Sequence, residues 1–211
     1  ADVYNTAVGY AAGGSITTGV QNTIVGGLAG DALTTGSYNT AVGYLALSTE
    51  DGHGQNVAVG TFALANQNAG ANALNVAVGY NAGKAITTGT QNIAMGVAAL
   101  TAITTGSDNT ALGFDSLKTV TTGSQNVVIG SGADVSANNA SNQVVIGYGA
   151  TGVANNSVTL GNTSNESVFI SSTVSTKPLV ELKNTTNDAV SGILKFTKDK
   201  GAAGAAGDDA G

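Results

Sequence analysis

An all-β parallel β-solenoid, a β-roll of 17-residue rungs, is the fold class this sequence predicts, and three observations predict it. The hexapeptide Asn5-Thr6-Ala7-Val8-Gly9-Tyr10 returns at 39–44 and, as Asn-Val-Ala-Val-Gly-Tyr, at 75–80. Copies open seventeen residues apart at Asn5, Asn22, Asn39 and Asn56, and again at Asn75, Asn92, Asn109, Asn126 and Gln143. The fifth residue of every copy, from Gly9 to Gly161, is glycine. A fixed period of this length marks a repeat architecture in which each unit stacks on its neighbours. The step from 56 to 75 is nineteen residues, and the last step, from 143 to Ser157, is fourteen.

Each rung is numbered here from its Asn as position 0. Position 1 is Thr, Val or Ile, and position 3 is a larger apolar residue: Val8, Val25, Val42, Val59, Val78, Met95, Leu112, Ile129, Ile146 and Leu160. Side chains alternate along a strand, so positions 1 and 3 share one face. The aliphatic size of position 3 predicts that it is the inward core column. Position 2, mostly alanine (Ala7, Ala41, Ala58, Ala77, Ala94, Ala111), then points outward. A small apolar outward face predicts close approach by another chain.

The glycine at position 4 predicts a corner. Position 7 is Ala in every copy from Ala12 to Ala150 except for Ser116, which predicts a narrow interior that a larger side chain would overpack. Leu recurs at position 8, and Ile, Leu or Val at position 11. Thr-Thr-Gly, as at Thr17-Thr18-Gly19, supplies turn chemistry leading to the next Asn. Each rung is thus expected to hold two short strands and two corners. Rungs would stack ~4.8 Å apart, and the Asn column would form a ladder of side-chain amides.

The period breaks around the repeat that opens at Asn56. Gly52-His53-Gly54 stands in place of Thr-Thr-Gly, and the loop 66–74 is two residues longer than its counterparts. Beyond Gly161 the texture changes. The solenoid is assigned to 1–161, a region of short β-strands to 162–200, and a Gly/Ala-rich flexible tail to 201–211. Five of the seven lysines lie beyond residue 176.

Composition narrows the function. Charged residues make up 9% of 211, with 7 Lys, no Arg and a net charge of −6, so no basic stripe for nucleic acid exists. No apolar run approaches the ~18 residues needed to span a membrane as a helix. Cysteine is absent. The chain starts Ala1-Asp2, as a processed product or a fragment would.

No catalytic constellation is visible, so an enzyme is not expected, and neither a cofactor nor a metal site is predicted. His53 is the single histidine, which leaves a His-based metal cluster or relay without partners, and its loop position predicts a solvated turn residue. One feature has functional pull: position 5 is aromatic in Tyr10, Tyr44, Tyr80, Phe114 and Tyr148. Just past a corner, these rings would form a stripe able to stack on a sugar, or to cover the corner between chains. The stacked Thr pairs are the pattern of a flat array that binds ice, but they precede Gly at a turn.

The string Thr-Thr-Gly-Ser-x-Asn-Thr-Ala-Val-Gly-Tyr at 34–44 resembles repeats of phage tail-fibre proteins, and the segment 184–204 resembles the stretch on the C-terminal side of such repeats in those fibres. The Asn-x-Ala-Val-Gly rung is also similar to the head repeats of trimeric autotransporter adhesins, left-handed β-rolls packed three together. Those repeats are typically about fourteen residues long, and only the final rung here matches that length. The resemblance implies a homotrimer. The function expected is a structural fibre segment of a virion, extracellular, with a host cell-surface glycan or protein as partner. The alternatives are a bacterial surface adhesin or matrix fibre and, less favoured, a polysaccharide depolymerase. The depolymerase needs paired carboxylates, whereas Glu occurs only at 50, 166 and 181.

Overall fold

The structure is a computed structural model, which describes residues 3–164. The β-strand region assigned to 162–200 and the tail at 201–211 therefore fall, but for 162–164, outside the described residues.

Ten short strands, one per rung, stack in sequence order into a single parallel sheet. They are β1 (Thr6–Val8), β2 (Thr23–Val25), β3 (Thr40–Val42), β4 (Val57–Val59), β5 (Val76–Val78), β6 (Ile93–Met95), β7 (Thr110–Leu112), β8 (Val127–Ile129), β9 (Gln143–Ile146) and β10 (Ser157–Leu160). The register follows the repeat: Ala41 pairs with Ala58, and Ala77 with Ala94. Neither irregular step shifts it. The nineteen-residue step still pairs Ala58 with Ala77, and the fourteen-residue step pairs Val144 with Val158. Extra residues are absorbed outside the strands, as loop length costs little once the stack is in register.

The rung holds one strand, not the two expected. The far side of the rung carries left-handed residues at position 6 (Ala11, Leu28, Leu45, Phe62) and position 8 (Gly13, Gly30, Leu47, Leu64), with φ between 48° and 61°. Alternating such residues curls the chain and prevents an extended run. Rung-to-rung bonding still passes round this side: Gly13 N–H donates to Ala29 O, Gly30 N–H to Ala46 O and Leu47 N–H to Ala63 O, all at 2.9–3.0 Å.

The facing of the strand is the reverse of that expected. Position 2 is the inward column: Ile24, Ala41, Ala58, Ala77, Ala111, Val128 and Val145 are fully buried, and Ala94 is almost so. Of the predicted outward alanines only Ala7, on the first rung, is exposed. Position 3 lies on the outer face, from Val8 at 58% exposed through Met95 and Leu112 to Leu160 at 52%. The cause is the asparagine. Positions 0 and 2 share a face, and the Asn side chains from Asn22 to Asn126 are buried. Once Asn points inward, the alanine two residues on must go with it.

The buried Asn is held at both ends of its amide. Its Oδ1 accepts the backbone N–H of position 0 in the next rung, in an unbroken series from Asn5–Asn22 to Asn126–Gln143 at 2.8–3.1 Å. Its Nδ2 donates to the carbonyl fourteen residues on, closing the second corner: Asn22 to Gly36, Asn92 to Gly106, Asn109 to Gly123, at 2.9–3.0 Å. The expected ladder is real, but it runs mainly from amide to backbone. Direct amide–amide bonds join only some rungs, as Asn109 Nδ2 to Asn92 Oδ1 at 3.1 Å.

The rest of the core conforms to the sequence. The position 7 alanines from Ala29 to Ala150 are fully buried, as are Leu47, Leu64, Leu100 and Leu117 at position 8 and Leu33, Ile86, Ile103 and Val120 at position 11. The corner glycines from Gly9 to Gly147 have φ of 133–139°, and a Cβ on each through Gly130 would strike the backbone of the glycine one rung on.

Two substitutions test this account by urea denaturation. Asn92→Ala orphans the Asn109 amide and the Gly106 carbonyl, and is expected to cost about 2–4 kcal/mol. Gly79→Ala, with φ of 137° and no room for a methyl group, is expected to cost at least as much. Val59→Ser on the outer face should cost less than ~1 kcal/mol for a single chain.

Candidate functional site

Variation is concentrated at the corners, because the strands and their core columns are constrained by stacking. The first candidate is the corner after the position 4 glycine. Tyr10, Tyr44, Tyr80, Phe114 and Tyr148 are all exposed there, between 49% and 82%. Only Tyr44 and Tyr80 enter a ring cluster, and a residue outside the predicted stripe links them. Phe62, at position 6, meets Tyr44 edge-to-face at 5.8 Å and Tyr80 at 6.3 Å. Lys84 Nζ lies 4.6 Å from the centre of the Phe62 ring, a cation–π distance. Tyr10, Phe114 and Tyr148 make no ring contact among the described residues. The three-ring ladder over rungs three to five is thus an exposed apolar platform with a cation at one side. The left-handed φ of 61° at Phe62 lets a position 6 side chain join its neighbours, which a search at position 5 alone misses.

The Asn side chains Asn5, Asn22, Asn39, Asn56, Asn75, Asn92, Asn109 and Asn126 are structural, as expected, and from Asn22 onward they are buried and inaccessible to a ligand. The Thr column is engaged as well. The hydroxyls of Thr17, Thr34, Thr87, Thr104 and Thr121 donate to carbonyls one rung on at 2.9–3.3 Å. Hydroxyls committed to the stack are poorly placed to order water.

The second candidate lies at the other corner, where the Thr-Thr-Gly pattern fails. Glu50 takes position 11, the column of Leu33, Ile86, Ile103 and Val120, and is fully buried. Its Oε1 accepts the His53 backbone N–H at 3.0 Å and lies 3.2 Å from His53 Nδ1. Its Oε2 is buried with no hydrogen-bond partner. One donor atom from each of Glu50, Asp51 and His53 lies within 4.8 Å of the others. Burial pushes the Glu50 carboxyl above the ordinary carboxylate range, against the pull of the His53 amide and imidazole. His53 is thus half-exposed in its loop and, beyond the solvated turn residue expected, a partner of a core carboxylate.

The lengthened loop of the next rung braces this corner: Gly54 N–H donates to Asn72 Oδ1 at 3.0 Å. That rung repeats the polar replacement at position 11. Gln67, fully buried, donates to Thr87 O at 3.1 Å and accepts from Asn75 Nδ2. The sequence signals were present separately, as a Glu in an aliphatic column and a His in a Thr-Thr-Gly slot. Only the fold brings the side chains together.

Among the described residues no helix is long and apolar enough to cross a membrane. No family model matches the chain, and neither a curated protein nor a solved structure matches it significantly.

A buried acid elsewhere gives a pH test. Asp134 stands at position 8, and burial raises its carboxyl above the usual range despite bonds from the Val135 and Thr119 amides. Its folded pKa exceeds its unfolded value, so stability falls as pH rises through that interval and is unaffected below the unfolded value of ~3.9. Asp134→Asn is expected to raise the urea midpoint at pH 7, with the gain shrinking as pH falls toward about 4 and no longer changing below it. A gain that stays constant with pH would refute this assignment.

Proposed function

We propose that this chain is a structural fibre segment of a virion, of the tail-fibre kind, assembled from three parallel copies and contributing to attachment at a host surface. The observation that carries it is the outer face of the ten-strand sheet. Positions 1 and 3 hold only Val, Ile, Leu, Met and Thr, with no charged residue in any rung. Ile93, Met95, Leu112, Ile146, Val158 and Leu160 are each 39–68% exposed. A continuous apolar strip of this kind marks an interaction surface. A second copy of the chain presents the same columns at the same spacing, so copies lying side by side bury the strip along its whole length. The argument for lateral packing thus rests on the aliphatic columns, not on the alanines, which line the core. The count of three comes from the resemblance to tail-fibre and trimeric adhesin repeats.

The role is mechanical and adhesive. Rung-to-rung bonding makes a rod without a separate frame, and the Tyr44–Phe62–Tyr80 ladder is the proposed contact for a cell-surface glycan. Such a fibre works outside the cell. A bacterial surface adhesin is the second reading, favoured by the final fourteen-residue step that stays in register. A C-terminal outer-membrane anchor encoded in the same gene would select it.

Sedimentation equilibrium tests the assembly. A mass three times the 20.5 kDa chain is expected. The triple variant Val42→Lys/Val59→Lys/Val78→Lys is expected to sediment as single chains. A folded parent chain that is monomeric at micromolar concentration would sink the proposal. Tyr80→Ala and Phe62→Ala are expected to reduce retention on host cells without changing the mass.

A further inference from the structure

We propose that Glu50, Asp51 and His53 bind a divalent transition-metal ion of the zinc class. This site is independent of the fibre role. The donor set is one imidazole and two carboxylates, and imidazole nitrogen favours zinc, cobalt or nickel over the oxygen-seeking calcium and magnesium.

Three observations lead there. The first is the location of Glu50: every neighbouring rung except the fourth fills that column with an aliphatic side chain, and a carboxylate there adds nothing to packing. The second is its Oε2, fully buried and without a partner. A buried polar atom left unsatisfied is costly and calls for an explanation, and a cation facing the carboxylate provides one. The third is spacing. Glu50 Oε1 and His53 Nδ1 lie 3.2 Å apart. Two ligands of a tetrahedral zinc, each about 2.0–2.1 Å from the ion, are separated by about the same distance. Asp51 is exposed and His53 half-buried, so an ion can enter from solvent and keep water in the remaining position.

The position also gives the ion a structural task. The corner is clasped from its own rung by Asn39 Nδ2, which donates to His53 O at 3.1 Å, while the Asn56 amide nitrogen beside it reaches only Gly54 O, at 3.4 Å. An ion held by 50, 51 and 53 would add a second tie across this corner, beside the Asn39 clasp.

The test is titration of the full chain with zinc chloride, read by calorimetry and thermal melting, with cobalt(II) absorption as a second probe. One ion per chain and a raised Tm are expected. Glu50→Leu restores the residue found at Leu33 and so preserves the core; it is expected to fold, to melt no lower than the metal-free parent, and to lose the zinc-dependent rise. His53→Ala is expected to abolish the cobalt d–d band, and Asp51→Asn to weaken zinc binding at least ~10-fold, a loss at least that of removing a supporting group. Failure of the parent to bind zinc at millimolar concentration would overturn the proposal. So would binding that survives unchanged in both Glu50→Leu and His53→Ala.

Discussion

The inward-pointing asparagine amide is the contact on which the roll depends. A rung of seventeen residues encloses only a few aliphatic groups, chiefly at positions 8 and 11, beside alanines too small to bury much surface. Hydrophobic burial alone is then weak against the entropy of ordering each rung. The amide adds two things that a larger apolar residue could not. Its oxygen binds the next rung at a fixed height, and its nitrogen closes the corner of its own rung. Buried and fully bonded, it contributes stability and, because an unmade bond would be costly, it also locks the register.

The corners are conformationally expensive, and the stack is what sustains them. Among the described residues, 21 non-glycine residues adopt positive φ, several of them leucines. A left-handed residue with a Cβ costs roughly 1–2 kcal/mol. Such residues persist where the surroundings over-determine them. Here each bends the chain so that its neighbours' amides meet carbonyls one rung away, and the same geometry repeats in every rung. Glycine is indispensable at position 4, where backbone approaches backbone. Elsewhere the stack tolerates Ala, Leu, Phe, Asn or Asp in a left-handed conformation, which leaves the corners free to vary in chemistry.

That freedom separates frame from function. Strands and core columns stay nearly constant, while one corner gathers the Tyr44–Phe62–Tyr80 ladder and the other gathers Glu50, Asp51 and His53. The outer sheet face is constant too, but for another reason. It alternates with the Asn face, so whatever fixes the asparagines inward also presents an aliphatic strip outward. A fibre that packs laterally needs such a strip on every rung. The parity imposed by the amide supplies it.

Parallel in-register stacking writes itself into a sequence as a period, because each column must solve the same local problem in every rung. The seventeen-residue repeat, the corner glycines, the narrow alanine column at position 7 and the Asn stack were all legible for that reason. Size alone misled at positions 2 and 3. Val and Leu at position 3 look like core, yet the face that position 2 shares with the buried Asn, as in Asn22 and Ile24, turns inward and outweighs hydrophobicity. The single strand per rung was hidden because left-handed Leu and Phe carry no marker of their own. Period and column identity belong to the sequence; which face turns inward, and which distant side chains meet at a corner, was decided by tertiary packing, since both depend on contacts between rungs that no one repeat contains.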